Sequence, residues 1–371
     1  MNVPKMPHGV ARDGGFTLTE LLISTTIMLL LAGAALTTFK NAVAINDSAS
    51  ELTDANQNLR AGTNELIRDL MMAGRIIGSG GIALPNGAGA AAFNRPAPTP
   101  QSFGNLSVLD DIETGYQLGP AVLGTPTDMV TIMMVDEFMP VIKTPPAVSG
   151  SPTTVEGTIA PDASSITLPN NSLWLAGDPI GGTGPIQVGD LIYFENPSGN
   201  AIQTVMRVDS THIYFDANDW FNFNQRGVPQ VPVFNMKTPQ DQVSPWTVGT
   251  TLFRALMISY YVDNTTTPGT PRLDRVINHY TPQALAGVVE NLNLTYDLVD
   301  GVYNPSNITS LPWFDSLHSL TYVPNQIRTI NVTVGVRSEV LSKPAQDYVR
   351  NRITTAVDAR SLSDVSRYVT Q

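Results

Sequence analysis

The chain has no cysteine in its 371 residues, which excludes a disulfide framework, a thiolate metal site and a cysteine nucleophile. Charge is scarce as well, at 14% of residues, and 21 Lys and Arg against 32 Asp and Glu leave a net charge of −11. No run of five basic residues occurs. Nucleic-acid affinity rests on neutralising phosphates with basic side chains, so no direct nucleic-acid partner is expected. Histidine is limited to His8, His212, His279 and His318, and no two of them have metal-ligand spacing. The G-x-S-x-G pattern of a serine hydrolase is missing. The GAGAAAF stretch ending at Phe93 has no strand pattern before it and lacks the third glycine of a dinucleotide loop. No catalytic residue, cofactor site or metal site is therefore assigned, and the chain is not expected to be an enzyme.

What the chain does contain is 42% hydrophobic residues, enough for a sizeable core, with 29 Gly and 28 Pro that suit a turn-rich β protein. Its first fifteen residues are polar and carry Lys5 and Arg12. From Phe16 to Phe39 the sequence turns apolar, and Glu20 is the one charge inside that run. Twenty-four residues at about 1.5 Å each reach roughly 36 Å, enough to cross a hydrocarbon layer of about 30 Å. The two cations before it favour a cytoplasmic leader, which sends everything after Phe39 across the membrane. A cleaved signal peptide is one alternative, because Ala32-Gly33-Ala34 imitates its small-residue site, but the apolar run is too long and contains a glutamate. A plain signal anchor is another. It leaves Glu20 and the Gly14-Gly15-Phe16 junction unexplained.

Gly15-Phe16-Thr17-Leu18-Thr19-Glu20-Leu21-Leu22-Ile23 resembles the prepilin cleavage and methylation motif of type IV pilins and type II secretion pseudopilins. The resemblance implies that residues 1–15 are a leader peptide, that a prepilin peptidase cuts between Gly15 and Phe16, and that Phe16 becomes N-methylated. The new Phe16 ammonium, one helical turn from Glu20, could pair with it in the same chain; the resemblance implies instead that Glu20, fifth in the mature chain, meets the terminal ammonium of a neighbouring subunit during assembly. An ionised carboxylate in the membrane costs about 2.5 to 3.5 kcal/mol on insertion scales, so such a residue is by default functional. The implied partners are the prepilin peptidase, the inner membrane, and other major and minor pilins through the helix. The implied location is a single pass through the inner membrane with a periplasmic head, then an extracellular pilus or a periplasmic pseudopilus.

Beyond Phe39 the helical pattern continues in polar form, with Ile45, Leu52, Leu59 and Leu66 seven residues apart and no proline between Phe16 and Ile82. One long helix over 16–74 is expected, its first part, 16–39, transmembrane and the rest laying an apolar stripe on its own head or on another subunit. Many major pilins carry a proline kink in the apolar half; none is present here.

The remaining organisation reads as a Gly/Pro-rich connection over 75–127, an inserted β-rich region over 128–245, and an antiparallel sheet with the C-terminal segment over 246–371. Alternation at Leu292, Leu294, Tyr296 and Leu298, and again at Ile330, Val332, Val334 and Val336, marks strands with one buried face. The order of these last strands resembles the sheet of PilW-like minor pilins and J-type pseudopilins. The fold class is α+β: a long N-terminal helix, half membrane-spanning and half amphipathic, carrying an antiparallel β-rich head with an inserted β subdomain. The implied function is a minor pilin that initiates or supports pilus biogenesis, with a type II secretion pseudopilin or a membrane-anchored adhesin as alternatives. Asp216-Ala217-Asn218-Asp219 groups oxygen ligands of the kind calcium accepts but lacks the glycine and glutamate of an EF-hand loop. Trp220, Phe221 and Phe223 beside it belong to the core or to an exposed adhesive patch.

Overall fold

The computed structural model describes residues 17–78, 80–97, 101–144, 154–169, 172–176, 185–237, 249–266, 269–339, 341 and 347–358. Its first element is a single helix, Leu18–Met71, of 54 residues, which at about 1.5 Å per residue is roughly 81 Å long. Leu, Ala, Ile and Met favour the helix, and no proline interrupts it. It ends where Gly74 takes a φ of 69°, and the Gly74 N–H donates to the Met133 carbonyl at 2.8 Å, which ties the exit to the first long strand pair.

The helix has two environments. From Leu18 to Val43 every side chain is exposed, whereas from Ala44 a buried or half-buried face recurs at 48, 52, 55, 59, 62, 66, 70 and 73. These spacings of three and four residues keep one face toward the head. Leu59, Leu66 and Leu70 are fully buried, while Ile45, the first member of the seven-residue pattern, is 66% exposed. The stripe thus packs on the chain's own head from its middle onward.

A nine-stranded sheet forms the body of the head. Its axis is the 14-residue strand Thr250–Asp263. The first half of that strand pairs with Leu191–Asn196 and Val141–Thr144, and the second half with Arg272–Ile277 and Thr125–Val135, all antiparallel. A separate three-stranded antiparallel sheet joins Val289–Leu298, Ile327–Arg337 and Arg350–Asp358. The alternating residues of its first two strands are buried as expected. They share one core with Leu59, Leu66 and Leu70 of the helix and with Val130, Ile132, Ile258, Tyr260 and Val262 of the larger sheet. A second core gathers Ile166, Trp174, Phe194, Ile213 and Phe215. It sits around a four-stranded sheet made by Thr158–Ile159, Ser165–Thr167, Arg207–Val208 and His212–Tyr214.

The structure meets the expected fold class: a long N-terminal helix followed by a β-rich region of several antiparallel sheets, α+β. It differs inside the head. The stretch 75–127, read as a connection, contains the 11-residue strand Ile112–Val122, which pairs with Thr125–Val135 within the nine-stranded sheet. The region 128–245 has the four-stranded sheet to itself but is not separate from 246–371, because Thr125–Val135 and Leu191–Asn196 both pair with Thr250–Asp263.

Candidate assembly site at the N-terminal helix

Gly15 and Phe16, the expected cleavage and methylation residues, lie outside the described residues. The described chain begins at Thr17, which caps the helix in an extended conformation. The Glu20 N–H donates to Thr17 Oγ1 at 3.3 Å, and Glu20 Oε2 accepts from the Thr17 N–H at 3.0 Å and from Thr17 Oγ1 at 2.9 Å. This reciprocal box satisfies helix-end donors that otherwise lack partners. It also folds the only carboxylate of the apolar run back toward the start of the helix, where the dipole favours negative charge. Both contacts use Oε2; Oε1 makes none with the described residues.

The polar groups farther along are absorbed by the helix itself. Ser24 Oγ donates to the Glu20 carbonyl at 2.8 Å, Thr26 to Leu22 at 2.7 Å, and Thr37 and Thr38 to Gly33 and Ala34 at 2.9 Å each. Each hydroxyl thus enters an apolar medium already bonded. The side chains pointing outward include Leu21, Leu22, Ile23, Leu29, Leu30 and Leu31, all 59% exposed or more. This is the one helix among the described residues long and apolar enough to cross a membrane, and it is compatible with single-pass anchoring.

Residues 11–36 match the family model described as the prokaryotic N-terminal methylation motif. The motif indicates a type IV pilin-like or pseudopilin protein. No curated protein and no solved structure matches it. The pilin-type motif is consistent with processing by prepilin peptidase and with interaction with other pilins, and it suggests a structural protein rather than an enzyme.

The other residues singled out in the sequence resolve differently. Asp219 is 4% exposed, and its carboxylate accepts from the N–H groups of Phe221, Phe223 and Asn224 and from the Thr204 hydroxyl. It organises its loop from within. Asp216 is exposed, its carboxylate 3.8 Å from Arg207. No group of three or more His, Asp or Glu suited to a metal ion occurs among the described residues. Phe221 and Phe223 are buried, while Trp220 is 40% exposed and stacks on His279 at 3.9 Å between centroids. Burial lowers the His279 pKa. The cluster splits between core and surface.

Two arrangements escaped the sequence reading. Asp69, on the buried face of the helix, accepts from Tyr260 Oη at 2.6 Å and from Arg275 Nε at 2.8 Å, joining helix to sheet. Its signal was an acid set among Leu59, Leu66 and Leu70 on the apolar stripe. The second, Arg95, is an isolated arginine in a Gly/Ala/Pro stretch and had no sequence signal.

Proposed function

We propose that this chain is a PilW-like minor pilin of a type IV pilus, made as an inner-membrane prepilin and cleaved after Gly15. Phe16 is then N-methylated, and the helix enters the filament, at or near its tip, to initiate or support assembly. The observation that carries this reading is the wholly exposed apolar first part of the helix, Leu18 to Val43, whose single carboxylate, Glu20, is held at the N-terminal end. Cleavage after Gly15 would create an ammonium group on Phe16, one residue before the Thr17 cap. Glu20 Oε1 is left to accept from such an ammonium on an adjoining subunit, which offsets the cost of a buried charge and sets the axial register. The bulk of a head built on nine-stranded and three-stranded sheets favours a low-copy position over a repeated one. A type II secretion pseudopilin would use the same N-terminal chemistry and differ in the filament it joins.

The experiment is mass spectrometry of the N-terminal peptide together with a Glu20→Ala variant. The expected mature protein begins at N-methyl-Phe16, and the variant still inserts in the membrane but is depleted from isolated filaments. A native protein starting at Met1, or full incorporation of Glu20→Ala, refutes the reading.

A further inference from the structure

Arg95 closes the short strand Phe93–Arg95 and is 4% exposed. Its guanidinium lies over the Phe103 ring, Cζ to centroid 4.4 Å, and Nη2 donates to the Thr114 carbonyl at 3.2 Å. Nε and Nη1 are buried and have no hydrogen-bond partner among the described residues. The fold makes room for this group. A Cβ on Gly115 would stand 2.8 Å from Nη1 and 2.6 Å from the Met129 carbonyl oxygen, so only glycine fits there. The acid beside it gives little compensation: burial and then the Asp110 charge raise the Glu113 pKa to about 8, leaving it neutral at pH 7. Burial lowers Arg95 only to about 10, so it stays charged. A desolvated cation with unused N–H groups is costly unless an anion reaches it.

A cavity of about 450 Å³ adjoins this arginine, within the size range of small-ligand sites. Arg95, Phe103, Asn105, Ser107, Asp110 and Glu113 stand on its wall. We propose that this cavity binds a small hydroxylated monocarboxylate, the chemistry of a sugar acid, whose carboxylate accepts from Arg95. One cation on the wall matches one negative charge. Asp110 opposes a second, which disfavours a phosphate dianion. Asn105 and Ser107 offer hydroxyl partners, and neutral Glu113 can donate its O–H to a ligand oxygen. This site is independent of the filament reading and would give the head a ligand of its own.

The test is calorimetric titration of the full-length protein in detergent with glucuronate, glucose and inorganic phosphate. At pH 7 glucuronate should bind saturably, and glucose and phosphate at the same concentration should not. Arg95→Met should weaken glucuronate by about tenfold or more. A Glu113→Gln variant, which leaves Arg95 in place, guards against misfolding of the first. Wild-type affinity should fall as pH rises through about 8, where Glu113, facing Arg95, Asp110 and Asp111, ionises and competes for the guanidinium. Glu113→Gln should bind with no such fall. No saturable binding of glucuronate, equal binding of glucose or phosphate, or a wild-type affinity flat across that pH overturns the proposal.

Discussion

The joint between helix and head rests on Asp69, and replacing it with asparagine tests how much. Its side chain is 3% exposed and that of Arg275 is 13% exposed, while Tyr260 is fully buried. Arg275 Nε also lies 3.1 Å from Tyr260 Oη, so the three groups form one network. Asp69→Asn keeps the shape and removes the charge, leaving a guanidinium in the core without a counter-ion. Breaking a buried pair in this way costs about 3 to 5 kcal/mol. Tyr260→Phe removes one donor but leaves the ion pair, so about 1.5 to 3 kcal/mol is expected for a hydrogen bond to a charged group. Asp69→Leu combined with Arg275→Met removes both charges and should recover part of the loss, because apolar replacements of buried pairs are often neutral, while the Tyr260 hydroxyl stays buried without its acceptor. The assay is urea unfolding, and in parallel thermal unfolding, of the full-length protein in mild detergent, followed by tryptophan fluorescence. Thermal midpoints should drop by on the order of 10 °C for Asp69→Asn. A loss under about 1 kcal/mol, or a double variant as unstable as the single one, refutes the argument.

Gly62 faces the strand Gln283–Ala286, and a Cβ there would stand 2.8 Å from Ala286 Cβ. Gly62→Ala gains about 0.8 to 1.0 kcal/mol of helix propensity but overpacks the seam by about 1 to 3 kcal/mol. A net loss is expected, and Ala286→Gly should reverse it in the same unfolding assay. Asp219→Ala strips the acceptor from three buried N–H groups and should cost on the order of 3 kcal/mol, with loss of the Trp220–His279 stack visible in fluorescence. The Glu113 pKa is raised to about 8 in the folded state, above the ordinary value of about 4.3. The folded state therefore binds the proton more tightly. This contribution is full below the ordinary value and is lost as pH rises toward about 8, by up to about 1.4 kcal/mol per unit. Unfolding midpoints of wild type and Glu113→Gln measured across that window should diverge accordingly, and parallel curves would contradict it.

The helix was legible because two local signals coincide: an apolar run from Phe16 to Phe39, and a seven-residue recurrence after it that no proline interrupts. The strands Val289–Leu298 and Ile327–Arg337 were legible because their period-two alternation is a one-face burial signal that needs no knowledge of partners. Ile112–Val122 was not. It contains Gly115, Gly119 and Pro120, which ordinarily weaken a strand. It survives because its register shifts at both glycines and because a Cβ at Gly119 would press on Thr127 of the paired strand. Those are tertiary facts. The merging of the middle and last regions into one sheet was hidden for a similar reason, since Leu191–Asn196 finds its partner some sixty residues later. The assembly motif was written locally in consecutive residues. Arg95, by contrast, acquires its character only from Phe103, Thr114 and Gly115 folded around it.

The exposed apolar stretch and the clamped stretch of the helix form one rod without a hinge, so whatever fixes the azimuth of Glu20 also fixes the compass bearing of the head. A helix turns about 100° per residue. One alanine inserted near Asp47 would therefore swivel the whole β body by about that angle while lifting it only about 1.5 Å. In the filament proposed above, the surface turned outward would change sides without a single contact in the head being altered.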